Sequence, residues 1–500
     1  MFRFVRKKSF VLFGLLLVAF LRIDFSSKIH AGAKAKRPNF ILVLADDLGY
    51  GDLACYGHKV IKTPNLDAFA KKGLRLTSCY ASHANCSPSR AGLMTGRTPT
   101  RIGITNWIPM LSPMHLRDSE ITIAKLLQQA GYVTCHVGKW HLNGMFNLTG
   151  PQPDDHGFDH WFSTQNNCLP NHKNPYNFVR NDIPVGPIKG YASHIVVEEA
   201  IRWLDKERDK SKPFFMYVCF HEPHEPIASA KKFTDMYPYP ENPSKSAHHG
   251  NVTQMDDAFG QLMRYLETSG LDENTIILFT SDNGPAITSI HPHGSAGPLR
   301  AKKGHMYEGG IRVPGIIYWK GHTRSGKTSN EPVCGIDVLP TFCEIAGVDA
   351  PKDRVIDGTS FVPIFEGKKI NRTKPLYWHF NGARSKVKVV LRSGDYVLLA
   401  QLTGPEQKPG GSIRAEDQKA LKEAELTKFE LYDLSKDIGQ TKDLAESEPE
   451  RLRSMIKEMT KHYHEVREAS PIWPEWEFAR VESGRIEWPP YRKRKKKSGK

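Results

Sequence analysis

No Cys-x-x-Cys pair occurs among the eight cysteines, which lie at 55, 79, 86, 135, 168, 219, 334 and 343. That spacing argues against a thiolate zinc site. Past the first 33 residues no apolar run approaches the length of a bilayer span, and no internal repeat is apparent. Charge is missing where a nucleic-acid binder would carry it. Of the formal +16, most sits at the two ends: residues 1–37 hold nine Lys/Arg against one Asp, and the last ten hold seven Lys/Arg and no acid. The body between them is left near neutrality, at about +1. Nucleic-acid proteins spread positive charge over a folded face, so no nucleic-acid partner is expected, and Arg492–Lys497 reads as a solvated tail.

What is present begins with Arg3, Arg6, Lys7 and Lys8 ahead of an apolar run from Phe10 to Leu21, followed by Ala31-Gly32-Ala33. This is the anatomy of a secretory signal, assigned to residues 1–33. It predicts an exported body, periplasmic or extracellular, with no stable membrane span once the signal is removed. Export permits disulfides, but Cys135 and Cys219 sit inside apolar runs and read as buried thiols. Asn-x-Ser/Thr triplets at Asn147, Asn251 and Asn371 matter only in a host that glycosylates.

Apolar runs of strand length recur between helix-like segments, the pattern of an α/β sheet covered on both faces. They are Phe40–Ala45, Tyr132–Val137, Phe214–Phe220 and Thr275–Thr280. Thr63-Pro64-Asn65 opens a helix, with threonine as N-cap and proline at the first helical position. A polar cluster follows each strand: Asp46-Asp47, Gly138-Lys139-Trp140-His141, His221-Glu222-Pro223-His224 and Asp282-Asn283-Gly284. Open α/β sheets bind ligands at that edge, so four clusters there mark a site. From about residue 375 the runs shorten (Leu376–His379, Val387–Leu391, Tyr396–Leu399, Leu431–Leu434). Leu452, Met455, Ile456, Met459 and Tyr463 then form a helical stripe. The expected division is a catalytic region at 38–373, an antiparallel sheet-and-helix subdomain at 374–470, and a wrapping segment from 471. Trp473, Trp476 and Trp488 in that last segment read as packing.

The densest signal is Cys86-Ser87-Pro88-Ser89-Arg90, running on to Thr95-Gly96-Arg97. Proline suits a first helical turn, and the free amides of that turn, with Arg90, favour an anion beside Cys86. The segment resembles the signature of the formylglycine-dependent sulfatases, Cys-x-Pro-x-Arg ending in Thr-Gly-Arg. Residues 297–304 and 307–314 are similar to that family's lysine loop and its Glu-Gly-Gly-x-Arg-x-Pro sequel, and the likeness extends over about residues 38–465. It implies the alkaline-phosphatase-like fold, a large mixed sheet between helices with a smaller C-terminal α+β domain. It also implies that a maturation enzyme converts Cys86 to 3-oxoalanine (formylglycine), whose oxygen joins Asp46, Asp47, Asp282 and Asn283 around one Ca2+. Three carboxylates and an amide are in themselves the donors of a hard cation. By the same resemblance Lys139 and Lys303 contact sulfate, Arg90 orients the modified side chain, and His141 and His224 move protons. His221 competes with His224 for that role, and the Pro-His-x-Pro context favours His224.

The implied reaction is sulfate-ester hydrolysis. One hydroxyl of the hydrated aldehyde attacks sulfur and expels the alcohol, leaving a covalent enzyme–sulfate. A base then takes the proton of the second hydroxyl, the carbonyl reforms and sulfate leaves. Serine or unmodified cysteine lacks that second hydroxyl. Residues 142–190, with His156, Trp161, Asn166, Asn167, His172 and Asn177, are the expected specificity region. Their amides and rings suit a sulfated carbohydrate, with aryl sulfates as artificial substrates. Two competing readings are a phosphodiesterase or phosphonate monoester hydrolase of the same superfamily, and a secreted polysaccharide-binding protein with a decayed site. The latter predicts losses among the site residues, and the sequence shows none.

Overall fold

The computed structural model describes residues 37–146, 150–407 and 410–492. The expected secretory signal, Asn147 and the basic tail beyond Arg492 lie outside them. The large sheet is built from β1 (Asn39–Asp46), β2 (Leu74–Tyr80), β3 (Val133–Lys139), β4 (His160–Thr164), β5 (Val179–Arg180), β6 (Ile183–Pro184), β7 (Phe214–Pro223), β8 (Thr275–Ser281), β9 (Arg312–Trp319), β10 (Lys327–Ser329) and β11 (Val333–Cys334). Its order is β10-β2-β9-β8-β1-β7-β3-β4-β5-β6, with β11 also on β2. The central strands β8, β1, β7, β3 and β4 run parallel, while β9 is antiparallel to both β8 and β2.

Every residue of β1, β7 and β8 is buried, as strands covered on both faces require. Alternation along β1 sends Ile41 and Val43 to one core and Phe40, Leu42 and Leu44 to the other. The first core is closed by helices Pro64–Lys72, Ala192–Arg202 and Pro243–Thr268, the second by Cys86–Thr95, Ile123–Gln129 and Val338–Ala346. Each large apolar side chain so buried contributes roughly 1.5–3 kcal/mol.

A second, antiparallel sheet follows in the order β12 (Leu376–His379), β13 (Val389–Ser393), β14 (Tyr396–Leu402) and β15 (Leu426–Asp433). One face packs Val390, Val397 and Leu399 against Tyr80, Met306 and Ile311. The other packs Leu391, Leu398 and Leu431 against Met455, Met459 and Tyr463 of helix Pro449–Ala469. The fold is therefore the expected alkaline-phosphatase-like one.

Local departures have physical causes. Strands β1, β3 and β7 run further than their apolar runs, because Asp46 pairs with Pro223 and Lys139 with Thr164 in the ladder. Helix Pro64–Lys72 begins as expected, but the Thr63 side chain does not cap it. Its hydroxyl donates to Asp67 Oδ1 (3.1 Å) and accepts from the Ala54 N–H (3.0 Å). All eight cysteines are free thiols, Cys135 and Cys219 among the fully buried ones. Asn251 is buried within helix Pro243–Thr268, whereas Asn371 is exposed. Among the described residues no helix is long and apolar enough to cross a membrane.

Candidate active site

The four polar clusters meet at one edge of the sheet, as parallel strands in the order β8-β1-β7-β3 must place them. Helix Cys86–Thr95 arrives there with its first residue facing a cavity of about 340 Å³. Its N-cap, Asn85, makes no side-chain capping bond; Pro88 has no N–H and the Ser89 N–H is bonded to the Asn85 carbonyl (3.1 Å), which leaves the Cys86 and Ser87 amides for an anion. Two site residues hold left-handed backbone, Asp47 (φ 65°) and His141 (φ 57°), a conformation retained only where surroundings enforce it. Gly138 (φ +102°) could not be replaced, since a Cβ there would lie 1.8 Å from the Cys219 carbonyl oxygen.

Arg90 is fully buried, with Nε and Nη2 on Asp282 Oδ2 at 3.0 and 2.8 Å and Nη1 on the Lys139 carbonyl at 2.9 Å. Lys139 donates to Asp46 Oδ2 at 2.7 Å, and Lys303 Nζ stands 2.6 Å from Asp47 Oδ1. Lys303 lines the cavity with Cys86, His141 and His224; Lys139 does not, its ammonium being spent on Asp46. Burial alone would raise Asp46, but Lys139, His224, Arg90 and Lys303 hold it well below the usual carboxylate range. Asp282 goes the other way: burial and the Asp46 charge push it up to about 7 against Arg90. Burial keeps the Cys86 thiol protonated, and it lowers both His141 and His224, so both rings are neutral at pH 7. His141 Nε2 faces the Ile108 carbonyl at 3.0 Å and must be the donor, which leaves Nδ1 bare, buried and without a partner. His224 Nδ1 donates to the Glu225 carbonyl, leaving Nε2 3.6 Å from Asp47 Oδ2. His221 is fully buried on Thr164 Oγ1 at 2.7 Å, off the cavity wall.

Three buried oxygens in this cluster have no donor: Asp46 Oδ1, Asp47 Oδ2 and Asn283 Oδ1. Crowded carboxylates with orphaned oxygens are the residues a divalent cation would satisfy. Ligand atoms of Asp46, Asp47 and His224 lie within 4.8 Å of one another. Asp282 is adjacent but more committed, accepting from the Asp47 N–H (3.1 Å) and from Arg90. The oxygen-rich set fits a hard metal ion.

Residues 38–348 match the family model for sulfatases, and residues 301–400 match the one described as N-sulphoglucosamine sulphohydrolase, C-terminal. The chain belongs to the sulfatase family. It is therefore a sulfuric ester hydrolase. N-acetylgalactosamine-6-sulfatase of Rattus norvegicus is 35% identical over 383 residues, covering 70% of each chain. Arylsulfatase A of Homo sapiens is 32% identical over 463 residues, covering 85% of this chain and 87% of that one. The crystal structure of Ps i-CgsB in complex with k-i-k-neocarrahexaose superposes with a TM-score of 0.74 at 28% identity, covering 87% of this sulfatase and 95% of that chain.

The specificity region is where sequence and structure part. Of the side chains singled out in 142–190, only Asn166 and Asn167 line the cavity. His156 is buried against the Leu116 carbonyl (3.1 Å), Trp161 packs in the core, His172 is buried, and Asn177 bonds Leu169 N and the Asn167 carbonyl. The remaining wall comes from segments the sequence did not flag: Asn106, Trp107 and Met110; Phe380 and Arg384 after β12; and Phe478, Glu482 and Ile486 of the C-terminal strap. Trp107 and Phe478 meet edge-on at 5.3 Å. Glu482 accepts from Asn166 Nδ2 (2.9 Å) and from the Asn167 N–H (3.1 Å). Trp473 and Trp476 do pack on the core, as expected.

Proposed function

We propose that this sulfatase hydrolyses sulfate esters of a sulfated carbohydrate, with residue 86 matured to formylglycine and one calcium ion at Asp46, Asp47, Asp282 and Asn283. The observation that carries the reading is the set of three donorless oxygens beside Cys86, at an uncapped helix N-terminus flanked by Lys303. With Cys86 matured and a cation held by Asp46, Asp47, Asp282 and Asn283, the hydrated side chain would supply a hydroxyl nucleophile that an unmodified thiol lacks. The chain's own residues do the rest. Lys303 and the first-turn amides of helix Cys86–Thr95 hold the sulfate oxygens and neutralise charge as the S–O bond breaks. Lys139 and Arg90 fix Asp46 and Asp282 in place. His141 Nδ1 is the bare acceptor available to take a proton, and Lys303, facing the cavity, is the donor available where the leaving alcohol needs one, while the neutral His224 presents a bare Nε2.

A mostly apolar wall with a few placed polar groups (Asn166, Asn167, Glu482) suits the faces and hydroxyls of a sugar. The relatives named N-acetylgalactosamine-6-sulfatase and the neighbour solved in complex with k-i-k-neocarrahexaose support the same class. The N-terminal charge and apolar pattern supports export. The test is sulfate release from nitrophenyl sulfate and a panel of sulfated mono- and oligosaccharides, using protein made with a formylglycine-generating enzyme. Peptide mass should show the thiol-to-aldehyde change at Cys86, Cys86→Ser should lose at least a thousandfold in kcat, and a calcium chelator should abolish turnover. Full activity with only free thiol at Cys86 refutes the maturation, and faster phosphodiester than sulfate hydrolysis refutes the substrate.

A further inference from the structure

Arg384 stands in the turn between β12 and β13 with its side chain exposed. Its backbone N–H donates to the Gly304 carbonyl at 2.7 Å. Its stem lies so close over Gly304 that a Cβ there would meet Arg384 Cδ at 3.2 Å. Gly304 follows Lys303 directly, so the backbone and stem of Arg384 are held next to the lysine loop while the guanidinium stays free. It lines both the Cys86 cavity and an adjoining one of about 180 Å³ bounded by Asp47, His224 and Glu225.

The neighbouring charges are all engaged elsewhere. Lys302 donates to the Ile287 carbonyl (2.7 Å) and Lys303 pairs with Asp47 (2.6 Å). Glu225 is held by His291 (2.8 Å) and Thr288, and Glu482 by Asn166 and Asn167. Among the described residues no carboxylate or carbonyl partners the Arg384 side chain. An uncompensated guanidinium at the mouth of a cavity that handles anions presents a planar fork matched to a carboxylate or a sulfate.

We infer that Arg384 is a specificity-determining residue that binds a second anionic group of the substrate, a carboxylate or a further sulfate on the sugar bearing the scissile ester or on its neighbour. The inference rests on the sulfated-carbohydrate reading above.

The experiment compares kcat/KM of the matured enzyme for a monosulfated sugar, the same sugar with a second sulfate, and a monosulfated disaccharide carrying a uronic acid. The wild type should favour one or both doubly anionic substrates by about tenfold or more, and added salt should shrink that preference. Arg384→Gln should remove most of the preference, and Arg384→Lys should keep part of it. Which of the two doubly anionic substrates is favoured identifies the group as sulfate or carboxylate. Absence of a preference in the wild type, or its survival in Arg384→Gln, overturns the inference. Nitrophenyl sulfate run alongside separates the two layers: turnover of it without a second-anion preference sinks this inference alone, and no turnover of any sulfate ester sinks the function with it.

Discussion

At the scale of single residues, Arg90 sets the charge balance of the site. It lies one helical turn past Cys86, and its position in the sequence suggested a hand on the modified side chain. In the structure its guanidinium is committed to Asp282 and to the Lys139 carbonyl, with Asp46 3.8 Å away. It holds together the carboxylates that would meet the cation and the strand end that carries Lys139. Removing it leaves two buried carboxylates with one cationic partner fewer, and breaking a buried pair in this way costs about 3–5 kcal/mol. Arg90→Met should therefore lower the urea midpoint strongly as well as abolish activity. Arg90→Lys should recover part of the stability, because an ammonium restores the charge but not the fork. A stability equal to wild type in Arg90→Met would show that the pairing contributes little.

At the scale of elements, the C-terminal strap is the part whose role changes most between sequence and structure. The sequence suggests only a wrapping segment, whereas in the structure it supplies a wall of the cavity. Trp473 is its pin: the indole N–H donates to the Gly103 carbonyl at 2.7 Å and the backbone N–H to Gln418 Oε1 at 2.5 Å. Past the pin, Trp476 pairs with Ile413, and Phe478 and Glu482 reach the cavity. Trp473→Ala removes a half-buried ring and should cost roughly 2 kcal/mol, below the range for a fully buried one. A loosened strap should also raise KM for a sugar sulfate severalfold, and more than for nitrophenyl sulfate, which needs less of the wall. Equal effects on both substrates would mean that the strap is only structural.

At the scale of the whole molecule, legibility followed sequence distance. The Cys86 helix and the strand-end clusters were readable because motif and strand are contiguous, and parallel pairing then brings all four clusters to one edge. The second sheet and its helix were readable from period alone. Trp107, Arg384 and Glu482 were not, since nothing local marks them and only long-range packing makes them neighbours. Composition misled at 142–190, where His156 and Trp161 looked fit for ligand but found backbone and core partners. The same burial of histidine gives a property of the whole chain. His83, His136, His156, His172 and His249 are each pushed down to about 3, by burial above all. Unfolded, these five rings take up protons as pH falls through about 6.5; folded, they stay neutral, so acid favours unfolding. Burial acts in the opposite sense on Asp52, Glu222 and Asp256, raised to about 7, 7 and 6, which keep protons that the unfolded chain has released. Asp282, also near 7, belongs with these carboxylates, and His293 and His379, pushed down to about 4, belong with the histidines. The lowered rings outnumber the raised carboxylates, so the unfolded state binds more protons between pH 5 and 6 and stability falls with acid. Urea unfolding at pH 7, 6 and 5 should show the midpoint falling steadily with acid. A midpoint that is flat or rises across that range would mean that those histidines are protonated in the folded protein.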